Sequence, residues 1–153
     1  MVPILLLISV LLLTRSSIRT LELLSMIGGG ISLVGFGKLL YDLTMDLAGF
    51  PEYHLPVWAV IYLVFYLVFG FTFIYFGIHI RSPGDMFSGF VCCDKKIAFI
   101  DSLYISLCVF VGTSPSGNIT YRTQTVRFLT LIESMLGMFV SGVILTKFVS
   151  SRL

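Results

Sequence analysis

The stretch IAFIDSLYISLCVFVGTSPSGN, residues 97–118, decides how this chain is read. Ile97 to Val111 is apolar, with Asp101 near its start, yet it falls short of the about 20 residues that cross a bilayer. It runs straight into Gly112-Thr-Ser-Pro-Ser-Gly-Asn118, a polar loop flanked by glycines. A stretch of this length reads as a re-entrant or buried helix. On either side stand two full-length apolar segments, Leu55 to Ile80 and Gln124 to Ser150. The order is therefore span, short helix, polar loop, span.

The whole composition agrees with lipid as the solvent. Of 153 residues, 57% are hydrophobic and 12% charged, and the mean hydropathy is +1.01. Soluble domains carry roughly twice that charged fraction, and a small soluble core leaves too much surface wet to hide so much apolar area. The formal net charge of +2 argues against a nucleic-acid surface. The expected class is an all-α integral membrane protein, placed in the cell membrane.

Leu55 to Ile80 is the strongest span, uninterrupted by Asp, Glu, Lys or Arg, with Trp58 near its start as an interfacial anchor. Pro56 is expected in its first turn, where a missing N–H is harmless. Arg81-Ser-Pro-Gly-Asp85 then breaks the helix. Upstream, Leu21 to Tyr41 reads as another span. Its Gly28, Gly29, Gly30, Gly35 and Gly37 suit close helix contact in lipid, and Glu22 and Lys38 can reach opposite interfaces. Asp42 to His54 reads as a polar connection. Met1 to Leu13 is apolar but short. It is expected as a short or tilted span, because no basic residue precedes it and no signal-type cleavage site follows. The organisation is thus two N-terminal hydrophobic helices and a connection over residues 1–54, then a second unit over residues 55–153.

Cys92, Cys93 and Cys108 make no metal-binding spacing, and their odd number makes no disulfide framework. They read as small apolar side chains, with acylation of the Cys92–Cys93 pair as the alternative. His54 and His79 lie at span ends without ligand partners and read as interfacial. No His-Glu-x-x-His, Gly-x-Ser-x-Gly or membrane aspartate pair occurs. No catalytic residue, metal or cofactor is assigned, and an enzyme is not expected.

Extended backbone at membrane depth survives only when protein buries it or water lines it. A half-helix ending in a Gly/Thr/Ser loop between two spans is how a pore builds an ion filter, with loop carbonyls or hydroxyls replacing hydration. Two blocks carry a family resemblance. Ile100-Asp-Ser-Leu-Tyr-Ile-Ser106 resembles the pore-helix entry of the two-transmembrane, tetrameric potassium-channel family. Arg127-Phe-Leu-Thr-Leu-Ile-Glu133-Ser-Met-Leu-Gly137 resembles the start of that family's inner helix. The likeness runs from Leu55 to the C-terminus and leaves out the first two hydrophobic segments.

The resemblance implies an outer helix, a re-entrant pore helix and filter loop, and an inner helix. It also implies assembly as a homotetramer in membrane lipid and passage of monovalent cations. Thr113, Ser114, Pro115, Ser116, Gly117 and Asn118 stand where the family reads Thr-Val-Gly-Tyr-Gly-Asp, after one extra residue. Thr113 matches the threonine, Gly117 the second glycine and Asn118 the aspartate. Pro115 replaces the first glycine, and its φ near −65° excludes the backbone angles a potassium filter uses. Weak or altered selectivity follows.

Glu133, an acid inside a span, is functional by default; it is expected to support the filter by bonding the loop backbone. Gly137 resembles the inner-helix hinge, with tight helix packing as the other reading. The family topology places Arg81, Lys95, Lys96 and Arg122 outside, against the positive-inside rule. The functional expectation is a cation-channel pore subunit; the alternative is a non-conducting scaffold or accessory subunit on the same helical frame.

Overall fold

The computed structural model describes residues 17–49, 56–85, 87–89, 94–115 and 119–150. Among the described residues four helices follow one another: α1, Ile18–Gly49; α2, Val57–Arg81; α3, Lys95–Val111; and α4, Gln124–Ser150. Two short strands, β1 (Phe87–Ser88) and β2 (Thr120–Tyr121), pair antiparallel between them. Three helices, α1, α2 and α4, are long and apolar enough to cross a membrane. The chain is an α-helical membrane protein.

Helix α2 is the centre of the bundle. Its buried residues, among them Leu63, Leu67, Val68, Phe71, Tyr75 and Phe76, lie around much of its circumference, as expected of a helix enclosed by neighbours. On one side it meets α1, whose buried positions Leu21, Ser25, Phe36 and Leu43 recur along one face. Small residues set this contact. A Cβ placed on Gly29 would come 3.0 Å from the carbonyl oxygen of Gly70, and one on Gly70 would come 3.0 Å from Leu33. Gly77 leaves room for Ser25. Gly30 and Gly37 face no neighbour, so the glycine pattern is used only in part. The helices run antiparallel, and Glu22 reaches Arg81 at 3.7 Å near the end of the pair.

On its other side α2 packs against α3, again antiparallel. Phe99 lies against Phe73 and Phe76, with ring centroids 5.8 and 5.5 Å apart. Further along, the Ser106 hydroxyl donates to the Val68 carbonyl at 2.9 Å. Helix α4 follows α3 in the same direction. Ser106 meets Glu133 and, one helical turn on in both helices, Phe110 meets Gly137. The segment joining α3 to α4 therefore has to travel back along the helices before α4 begins.

Several boundaries differ from the sequence reading. The first described helix extends beyond Leu21–Tyr41 at both ends, so Asp42 to Gly49 is helix rather than polar connection. Two local features carry it on. Leu43 is buried, seven residues after buried Phe36, and Thr44 turns its hydroxyl back to the carbonyls of Leu40 and Tyr41. Pro56 is the residue before α2 rather than part of its first turn. Its carbonyl accepts from Ala59 N–H at 2.9 Å. His79, in the last turn of α2, is buried, 3% exposed. The all-α expectation also lacked the β1–β2 pair. Met1 to Leu13, His54, Cys92 and Cys93 lie outside the described residues, and Cys108 is a half-buried free thiol.

Candidate functional site

Glu133 of α4 is fully buried, at 0% exposure. Both of its oxygens are engaged by helices other than its own. Tyr75 of α2 donates its phenolic O–H to Oε2 at 2.6 Å. The Ser106 hydroxyl of α3 is in hydrogen-bond contact with Oε1. One carboxyl group thus joins three helices.

Local sequence explains why these side chains point inward. Ala98, Ser102, Ile105, Ser106 and Val109 are the buried positions of α3 and make one face of it. Ser102 satisfies itself by donating to Ala98 O at 2.8 Å, whereas Ser106 reaches across to α2 and α4. Tyr75 is held by an edge-on contact with Phe87 at 5.8 Å and by Phe71 at 6.0 Å. A buried Tyr carries a large apolar body and a hydroxyl that needs a partner. Glu133 is that partner.

The hydrogen-bond arithmetic admits either charge state. An ionised carboxylate accepts from both hydroxyls. A protonated one donates to Ser106, whose own hydrogen then goes to Val68 O, while Tyr75 donates to the other oxygen. In both cases every hydroxyl of the triad has an acceptor, so the group can sit in an apolar interior without an orphaned polar atom.

The polar segment begins where α3 stops. Gly112 has φ of +76° and ψ of +22°, a left-handed conformation that glycine adopts without Cβ strain. Gly112 N–H donates to Val109 O at 3.0 Å, and Thr113 N–H donates to Cys108 O at 2.8 Å. This pair of bonds is a Schellman ending, which satisfies the last carbonyls of the helix. The Thr113 hydroxyl donates to Cys108 O at 3.1 Å. Its hydrogen is used on the helix end, and its lone pairs remain exposed with the residue. Ser114 is exposed and Pro115 half-buried, whereas Ser116, Gly117 and Asn118 lie outside the described residues.

The chain is pinned again where it returns. Thr120 faces Ser88 and Tyr121 faces Phe87 across the strand pair. Arg122 donates to Gly84 O at 3.2 Å, and Arg127 donates to Tyr121 O through Nε at 3.4 Å and a terminal nitrogen at 3.3 Å. The half-buried Tyr121 hydroxyl is pushed up to about 12, first by burial and then by the fields of Glu133 and Cys108. The return of the chain is therefore tied to the turn after α2, on loops rather than helices.

Gly137 has a steric reason. A Cβ there would lie 2.9 Å from Phe110 O and 3.2 Å from its ring, so α4 closes on the last turn of α3 only without a side chain. Glu133 bonds the hydroxyls of two helices, where the sequence reading expected loop backbone. Tyr75 and Ser106 were not singled out as its partners. The signal available was general: a tyrosine and a serine in apolar segments, each in need of an acceptor. Among the described residues no group of three or more His, Cys, Asp or Glu gathers to hold a metal.

No protein-family model, curated protein or solved structure matches this chain. The described residues form a small helical membrane protein in which one buried carboxyl group is hydrogen-bonded to hydroxyls of two other helices.

Proposed function

We propose that the chain is the pore subunit of a cation channel of the potassium-channel superfamily, assembling as a homotetramer, with weak or altered selectivity. One observation carries the reading. Helices α3 and α4 advance in the same direction, so the chain between them has to return, and it leaves α3 with Thr113 and Ser114 exposed. Lipid does not tolerate such backbone unless protein or water covers it. Four copies around an axis supply both, because a single return segment does not surround an ion. On this reading α2 is the outer helix, α3 the re-entrant pore helix and α4 the inner helix.

Within that frame Thr113 and Ser114 to Asn118 line the ion pathway, and Glu133 holds the pore helix to the outer helix from the inner one. Gly137 permits close approach of α3 and α4, and weak helix propensity there favours bending. Pro115 excludes the carbonyl geometry of a fully dehydrating filter, which supports passage of partly hydrated cations. Pro115 also favours a second reading, a non-conducting scaffold on the same frame.

Reconstitution in planar bilayers with potassium, sodium and calcium gradients separates the two. Unitary cation currents from a demonstrated tetramer are expected, with selectivity altered by Thr113→Ala combined with Ser114→Ala. A tetramer without currents overturns conduction in favour of the scaffold. Currents with unchanged selectivity in the double variant remove those two hydroxyls from the ion pathway.

A further inference from the structure

Three close contacts between oxygens surround the carboxyl group of Glu133. The Tyr75 hydroxyl meets Oε2 at 2.6 Å, the Ser106 hydroxyl meets Oε1, and the same Ser106 hydroxyl meets the Val68 carbonyl at 2.9 Å. Two oxygens this close attract only when a hydrogen lies between them. Either charge state of Glu133 gives each hydroxyl an acceptor, but three contacts need three hydrogens. Tyr75 supplies one and Ser106 supplies one. Val68 O is a carbonyl and supplies none. Thr72 also donates to Val68 O, at 2.8 Å, and its hydrogen is spent there, inside α2. The third hydrogen has to sit on Glu133 itself.

An ionised Glu133 would force the single Ser106 hydrogen to be divided between Oε1 and Val68 O, a three-centre bond. The charge would then rest on one full donor and part of another. Burial makes that costly: Glu133, Tyr75 and Ser106 are all 0% exposed, and a buried carboxylate needs pairing and full hydrogen bonding. The cations of the packed elements are placed elsewhere. Arg127, six residues before Glu133 on α4, donates to Tyr121 O. Arg81 of α2 pairs with Glu22, and His79 lies in the field of Asp101. Lys95 and Lys96 open α3, almost three turns before Ser106.

We propose that Glu133 is a neutral carboxylic acid in the folded chain, its Oε1–H donating to Ser106 while Oε2 accepts from Tyr75. The relay then has one direction: Glu133 to Ser106, Ser106 to Val68 O, with Tyr75 closing on the free carboxyl oxygen. The junction of α2, α3 and α4 is thus a site for a bound proton. Glu133 braces the three helices as donor and acceptor at once, brings no fixed negative charge among them, and does not hold a cation. None of this depends on whether the chain conducts.

Infrared spectroscopy of the full chain in lipid at neutral pH tests it, because a carboxylic acid and a carboxylate absorb in separate regions. The chain has three glutamates, Glu22, Glu52 and Glu133. With Glu22→Gln and Glu52→Gln, labelling glutamate with carbon-13 at the side-chain carboxyl reports on Glu133 alone and leaves its network untouched. The expected result is a labelled band of a protonated carboxyl group, with no labelled carboxylate band. Tyr75→Phe should move the acid band to higher frequency, because the carboxyl C=O loses its donor, and Glu133→Gln should abolish it. A labelled carboxylate band in the folded protein overturns the proposal. An acid band that Tyr75→Phe leaves unmoved, or that survives Glu133→Gln, overturns it as well.

Discussion

Helix α2 meets α1 on one side and α3 with α4 on the other, and the two contacts are built from different materials. Toward α1 the contact is one of shape: Gly29 against Gly70 and Ile74, Ser25 against Gly77. Toward α3 and α4 it is one of bonds and rings: Tyr75 and Ser106 on Glu133, with Phe73 and Phe76 against Phe99. Lipid tails are as apolar as the side chains they cover, so burial alone does little to hold helices together there. Close backbone approach and buried hydrogen bonds are the two remaining means, and this chain uses one on each face. The difference teaches that α1 is attached by fit, whereas α3 and α4 are locked by polar chemistry.

The largest effect is expected from Glu133→Leu, which leaves the Tyr75 hydroxyl without an acceptor and Ser106 with the Val68 carbonyl alone. Two lost bonds in an apolar interior should lower stability by about 2–3 kcal/mol, read by denaturation in mixed micelles. Glu133→Gln keeps an acceptor for Tyr75 and a donor for Ser106, so its loss should stay below about 1 kcal/mol. If Leu and Gln behave alike, the bonds are not what holds this face.

Gly29→Leu attacks the other contact, because a Cβ there would already lie 2.9 Å from Ile74 and 3.0 Å from Gly70 O. Overpacking of this kind should destabilise by roughly 1–3 kcal/mol. It should also abolish disulfide cross-linking in a Glu22→Cys/Arg81→Cys pair while sparing the α2–α3–α4 core. Combined with Glu133→Gln, the two effects should add within about 0.5 kcal/mol if the faces are independent.

Smaller effects belong to the loops and ends. Tyr121 ionises near pH 12 in the folded chain against an ordinary value of 10.0. The stability it contributes is whole below pH 10 and is lost as the pH rises toward 12, and Tyr121→Phe should flatten that part of a melting-temperature profile. Glu22→Gln is expected to be the mildest, about 0.5 kcal/mol or less, because the Arg81 partner is wet and the pair is screened.

How much was legible follows from what each residue needs. The apolar segments at Leu55–Ile80 and Gln124–Ser150 are visible because their length alone exceeds a bilayer, and α2 and α4 lie within two residues of them. Ile97–Val111 is visible as a short helix between them, and α3 adds only two residues at its start. The end of α1 was not legible, because Asp42 and Thr44 look like loop residues until Leu43 is seen to pack and Thr44 to bond its own helix. Glu133 stood out as an acid in a span, whereas Tyr75 was one aromatic among many. Nothing local distinguishes the tyrosine that will face a carboxyl from one that will face lipid.

Sequence by itself determined the solvent, the number of long apolar helices and the residues that had to be special: Gly112 at a helix end, Gly137 in a span, Glu133 far from water. Hydropathy and length act one segment at a time, so they survive being read in order. Tertiary structure alone decided that Glu133 bonds hydroxyls from two other helices, and that α3 and α4 advance together. It also decided that only some of the glycines of α1 touch α2, and that a cavity opens where three helix ends meet. Each of these depends on which residues distant in the chain come within a few ångströms, and helix register and direction set that distance.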